Sequence, residues 1–130
     1  MLALLDPSTW TVLVVDDDDD NRVVIQGLLE MAGARVILAD SGKACLARLA
    51  ESLPTLVLLD ILMPRMSGME VLKAIRQEEA TRELPVIAVS ARALTAGHET
   101  LLAEGFTGYI GKPFTDLVPH IRAILKTKDR

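Results

Sequence analysis

The stretch Thr11-Val12-Leu13-Val14-Val15-Asp16-Asp17-Asp18-Asp19-Asp20 sets five mostly β-branched residues directly before five consecutive carboxylates. A run that is apolar on successive positions, rather than on alternate ones, reads as a strand buried on both faces of a parallel sheet. Its acids then stand at the carboxyl end of the strand, where open α/β sheets bind their ligands. Shorter apolar runs at 36–39, 56–59 and 86–89 repeat the pattern, and a weaker one follows at 109–110. Like the first run, the one at 56–59 ends in an acid, Asp60.

Segments with helical spacing fill the intervals. Val24, Leu28 and Met31 recur at i, i+4 and i+7, with Gly33 placed to end that helix in a left-handed conformation. Asp20 or Asn21 is placed to cap its start. Leu46, Leu49, Ala50 and Leu53 form the next apolar face, closed by Pro54. Val71, Leu72 and Ile75 form a third, and Leu101 and Leu102 a fourth that stops at Gly105. Leu117, Ile121, Ile124 and Leu125 form the last. Pro is tolerated in the first turn of a helix, so this one is expected to start between Asp116 and Pro119. Strands alternating with helices predict β-α-β units, right-handed crossovers and a doubly wound α/β sandwich of three layers. With 130 residues the chain suits one domain. It is expected over residues 11–126, with residues 1–10 and 127–130 as tails.

A net charge of -4 and a pI near 5.1 argue against direct nucleic-acid binding, which needs a basic surface to release counterions. No apolar run approaches the 18 residues of a membrane-spanning helix, so membrane insertion is not expected. Residues 1–5 are apolar but lack a basic start and are cut short by Asp6-Pro7, a poor signal peptide. A single Cys45 excludes an internal disulfide framework and suits the reducing cytoplasm.

The acids carry the chemistry. Two unit charges 4 Å apart repel by about 4 kcal/mol at an effective dielectric near 20. If the first and third strands are neighbours, Asp60 and the first acids of the run meet in one crevice. Either some of them are protonated there or a divalent cation lies among them. Mg2+ takes hard oxygen donors and keeps several waters, so two carboxylates and a carbonyl suffice. Ser90 closes the fourth strand and Lys112 follows the fifth, with Pro113 next, where a cis Lys112–Pro113 bond would aim the lysine inward. A carboxylate nucleophile, a metal, a hydroxyl and a lysine are the parts that phosphoryl transfer requires.

In Val14-Val15-Asp16-Asp17, Leu59-Asp60 with Met63-Pro64 and Ser67-Gly68 behind it, Val89-Ser90-Ala91, and Gly108-Tyr109 before Lys112-Pro113-Phe114, the chain resembles the receiver domains of two-component response regulators. The resemblance runs over essentially all of residues 11–125. It implies a five-stranded parallel sheet of order 2-1-3-4-5, the flavodoxin-like (βα)5 arrangement. It also implies a phosphorelay module that takes a phosphoryl group from a phosphohistidine on a histidine kinase or histidine phosphotransfer protein. On this likeness Asp60 is the phosphoacceptor. Asp17 is the direct Mg2+ ligand, Asp16 contributes through water, and the Leu62 carbonyl completes the protein side. Ser90 and Lys112 contact the phosphoryl group, and Tyr109 is the aromatic that swings inward with Ser90. Leu62 and Arg92 tune hydrolysis. The surface of the fourth helix, fifth strand and fifth helix then changes for a downstream protein target or separate output domain, with Leu94, Ile110 and Pro113 as exposed contacts and a homodimer left open. Such a chain catalyses only its own phosphorylation and dephosphorylation.

Other readings compete. Asp18, Asp19 and Asp20 suit a solvated face. An EF-hand loop is excluded because Asn21 stands where its Gly belongs and Gly27 where its bidentate acid belongs. An aspartyl-phosphate phosphohydrolase fits Asp16-x-Asp18 but not Asp20 two residues on. A scaffold that kept the fold and lost phosphorylation would not need the set Asp17, Asp60, Ser90 and Lys112.

Overall fold

Five strands alternate with five helices in the computed structural model of the chain, which describes residues 5–90, 97–111 and 116–128. In chain order they are β1 (Thr11–Val15), α1 (Asp19–Met31), β2 (Arg35–Ala39), α2 (Gly42–Glu51), β3 (Leu56–Asp60), α3 (Gly68–Gln77), β4 (Val86–Ser90), α4 (Gly97–Glu104), β5 (Gly108–Gly111) and α5 (Leu117–Lys128). The strands form one parallel sheet in the order β2-β1-β3-β4-β5. Val15 pairs with Leu59, and Asp60 with Val89, so β1 and β3 end side by side at the centre of the sheet.

Successive strand residues point to opposite faces, which is why the apolar runs are unbroken. Leu13, Val15, Val57, Leu59 and Ala88 pack with Cys45, Leu49, Val71, Leu72, Ile75, Leu101 and Phe106 of one helical layer. Val12, Val14, Leu56, Leu58 and Val89 pack with Ile25, Leu29, Ile121 and Leu125 of the other. Burial in the first layer pushes the Cys45 thiol up to about 12. α1 ends as its Gly predicts: Gly33 has φ +98. The Gly33 and Ala34 amides donate to the Glu30 and Leu29 carbonyls, satisfying orphan groups of the last turn. α5 begins at Leu117, which puts Pro119 in its first turn and makes the Asp116 carbonyl the acceptor of the His120 amide at 3.0 Å.

Several boundaries and faces differ from the sequence expectation. α1 starts at Asp19, capped by the Asp18 side chain, which accepts from the Asp20 and Asn21 amides at 2.8 and 3.2 Å; neither Asp20 nor Asn21 is the cap. Its inward residues are Ile25 and Leu29, whereas Val24 is 52% and Met31 87% exposed. Apolar residues occupy adjoining stripes of this helix, and tertiary packing chose the one beside the expected stripe. In α2 the inward pair is Cys45 and Leu49, while Ala50 faces solvent; the helix ends at Glu51, so Leu53 lies beyond it and is exposed. Leu102 is also exposed. Trp10 is no tail residue: it is fully buried in the layer of α1 and α5. A 3-10 turn at Pro7–Thr9, capped by Asp6, leads into it, and the Arg122 guanidinium donates to the Leu5 carbonyl at 3.0 Å. At the other end α5 runs through Thr127 to Lys128.

Candidate functional site

Beyond the paired register of β1, the Asp16 amide still donates to the Ala39 carbonyl at 3.2 Å. The chain then turns, and the Asp16 carboxylate accepts the Asp18 amide at 2.9 Å. This short Asx turn folds the carboxylate inward, leaving Asp16 1% exposed while Asp17 stays open to solvent. Arg22, one turn into α1, reaches back to the same loop. Its Nη1 donates to the Asp16 carbonyl at 2.6 Å, and its Nη2 pairs with the Asp19 carboxylate.

β3 delivers Asp60 in a matching way. Its carboxylate accepts the Leu62 amide at 3.1 Å, and the residue is 6% exposed. Across the top of β4 the Ile61 amide donates to the Val89 carbonyl at 3.3 Å. The loop closes where the Gly68 amide donates to the Ile61 carbonyl at 3.0 Å. Gly68 has to be glycine for that approach, since a Cβ there would lie 2.6 Å from the Asp60 carbonyl oxygen. Ser67 and Glu70 then form a capping box that starts α3. Within the loop Arg65 has φ 66, the single positive value among the described non-glycine residues.

The two loops bring oxygens of Asp16, Asp17 and Asp60 within 4.8 Å of one another, the one such trio among the described residues. Three carboxylates this close, two of them buried, repel strongly, and a hard divalent cation relieves that repulsion. Oxygen donors alone, at this mutual reach, suit the octahedral shell of Mg2+ with water filling the remaining positions. The donor set therefore fits the ion expected from the sequence.

Ser90 is the last residue of β4, in register with Gly111 of β5. The Ser90 side chain, and the whole of Arg92, Leu94, Lys112 and Pro113, lie outside the described residues. Tyr109 is half-buried on β5, and its hydroxyl lies 3.0 Å from where a Cβ on Gly111 would be. Leu62 holds the carboxylate through its amide while the residue is 56% exposed. Ile110 is not an exposed contact: it is 1% exposed, on the inward side of β5. Arg22 is a site residue that the sequence reading passed over. Its spacing of three from Asp19 was the available signal, but nothing in the sequence turns its side chain toward a backbone carbonyl instead of water.

Residues 12–123 match the family model described as the response regulator receiver domain. The transcriptional regulatory protein CpxR of Escherichia coli (strain K12) is 42% identical over 117 residues, which are 88% of this chain and 49% of CpxR. The chain thus spans about half of that relative's length. The polar-differentiation response regulator DivK of Brucella ovis is 35% identical over 119 residues, covering 92% of this chain and 95% of DivK. Among solved structures, the N-terminal domain of a response regulator receiver protein from Methanoculleus marisnigri JR1 matches with a TM-score of 0.75 and 38% identity, over 94% of this chain and 98% of that one.

Proposed function

The chain belongs to the response regulator receiver domain family of two-component signalling, and from that premise we propose that Asp60 is its phosphoacceptor. The observation that carries the proposal is the meeting of Asp16, Asp17 and Asp60 within 4.8 Å at the ends of two adjacent central strands. In the transfer, the P–N bond of a phosphohistidine breaks and a P–O bond to the Asp60 carboxylate forms, while the released imidazole takes up a proton. The Leu62 amide, donating to that carboxylate, fixes its plane for in-line attack. Asp16, Asp17, Asp60 and the Leu62 carbonyl would hold Mg2+. When bound, the ion offsets charge on the phosphoryl oxygens. Lys112 and Ser90 follow and close the neighbouring strands, and supply a cation and a hydroxyl to the same oxygens. Leu62 and Arg92, each two residues beyond a site residue, govern access of water to the phosphorylated carboxylate. No metabolite is turned over; the chain catalyses only its own phosphorylation and dephosphorylation, in the cytoplasm.

The donor is a histidine kinase or a histidine phosphotransfer protein. Val23, Val24 and Leu62 support this reading: they are apolar, 64%, 52% and 56% exposed, and follow the acidic loops in sequence, where a protein delivering phosphate to Asp60 would rest. The output is read on α4, β5 and α5. Tyr109 lies on that face beside a cavity of about 280 Å³ lined by Leu101, Leu102, Thr107, His120 and Ile124, an apolar recess that a protein target or output domain would occupy once Tyr109 moves.

Incubation with Mg2+ and acetyl phosphate, followed by intact mass, tests the assignment. One added phosphoryl group is expected on the native chain and none on Asp60→Asn. Equal labelling of both proteins would displace the acceptor from Asp60. No labelling of the native chain would leave a scaffold that uses the fold alone.

A further inference from the structure

We infer that Arg22 is a positioning residue for the carboxylate crevice, locking the loop between β1 and α1 so that Asp16 and Asp17 present their oxygens toward Asp60. The inference rests on the reading of that crevice as a Mg2+ and phosphoryl site. An arginine in the first turns of a surface helix ordinarily extends its head group into water. The Arg22 side chain is only 14% exposed. It is folded back across the loop, with Nη1 donating to the Asp16 carbonyl at 2.6 Å and Nη2 to the Asp19 carboxylate. The register of β1 with β2 ends at Val15 and Ala39, so this guanidinium joins the exit of a central strand to the first residue of α1. Asp17 stands between the two anchored points. The Asp16 side chain is separately tied by the Asp18 amide, and the loop is thereby held at its carbonyl, its carboxylate and its helical end.

The planar fork of arginine is what permits two acceptors in different directions; a lysine ammonium cannot reproduce that geometry. A competing account is purely electrostatic. A positive charge beside a cation site opposes the cation, so deleting Arg22 would tighten Mg2+ binding. Positioning predicts the opposite sign, because partners that orient metal-binding groups are worth about 10–100-fold in affinity.

Mg2+ alone is titrated into the native chain, Arg22→Met, Arg22→Lys and Asp17→Asn, and followed by the backbone amide resonances of Asp18 and Leu62. Those amides hold the Asp16 and Asp60 carboxylates. The titration midpoint is expected to rise at least tenfold in both Arg22 variants. Labelling by acetyl phosphate is expected to recover in both at saturating Mg2+, because the acceptor itself is intact. An unchanged or lower midpoint in both variants overturns the inference. A raised midpoint in Arg22→Met with a native one in Arg22→Lys overturns it too, since charge without the fork would then suffice. Should Arg22→Met fail to fold, Arg22→Lys decides alone. If Asp17→Asn titrates like the native chain, or the native chain does not respond to Mg2+, the reading of the crevice itself fails and the role of Arg22 falls with it.

Discussion

Arg65 holds a left-handed backbone, φ 66, in the loop behind Asp60, the proposed phosphoacceptor. An L-residue with a Cβ pays about 1–2 kcal/mol for that conformation, whereas glycine adopts it freely. Glycine in turn loses more chain entropy on folding, so the gain from replacing Arg65 is partial. Arg65→Gly is expected to raise stability by about 0.5–1 kcal/mol, read as a shift of the urea midpoint at unchanged slope. The strained residue lies in the segment that closes through Gly68 over the Asp60 carbonyl, so the loop keeps its strain beside the group proposed to react. A destabilised Arg65→Gly would mean that the Arg65 side chain does more for the loop than its backbone costs.

Among the helices, α3 has a second task at the end of the sheet opposite the acids. From there Arg76 donates to the Leu84 carbonyl at 2.7 Å, Arg82 at 3.0 Å and Thr81 at 3.3 Å, and through Nε to Gly105 at 3.0 Å. One guanidinium therefore ties α3 to the entry of β4 and to the turn that ends α4. Desolvation lowers its pKa, a sign that the cation is held among carbonyls rather than in water. Arg76→Met is expected to cost about 2–3 kcal/mol, the worth of charged hydrogen bonds to carbonyls that are then left without a donor. Denaturant unfolding measures the cost, and faster amide exchange at Phe106 and Thr107 would locate it. Such a tie could not be read from the chain, because its acceptors are carbonyls that every sequence has. The number and order of elements were legible, since unbroken apolar runs separated by helical spacing admit little else. The inward faces were less so. Residues 23–25, 28–29 and 31 are all apolar, and periodicity alone cannot choose Ile25 and Leu29 over Val24 and Met31.

Over the whole molecule the acidic crevice and the anchoring lie at opposite ends of the sheet. Asp16, Asp17 and Asp60 stand where β1 and β3 finish; Trp10 and the carbonyls taken by Arg76 stand near where strands begin. The acidic end was readable because strand ends and carboxylates are both visible in sequence, and a parallel sheet carries all strand ends to one side. Its refinements were not. The Asp18 cap, the Asp16 turn and the reach of Arg22 depend on a loop conformation that no spacing rule encodes. Mg2+ bound to the native crevice would stabilise the fold by mass action, so on the proposed reading the melting temperature of the native chain should climb through millimolar Mg2+. Trp10, the sole tryptophan, is fully buried and about 20 Å of extended strand away from Asp16. Its emission is expected to stay constant while the ion binds and to change only when the chain melts. A quench on adding Mg2+ at constant temperature would contradict that separation. One polypeptide thus comes with a built-in optical gauge of integrity, blind to occupancy, so that damage from any substitution in the acidic loops can be told apart from lost affinity in a single cuvette.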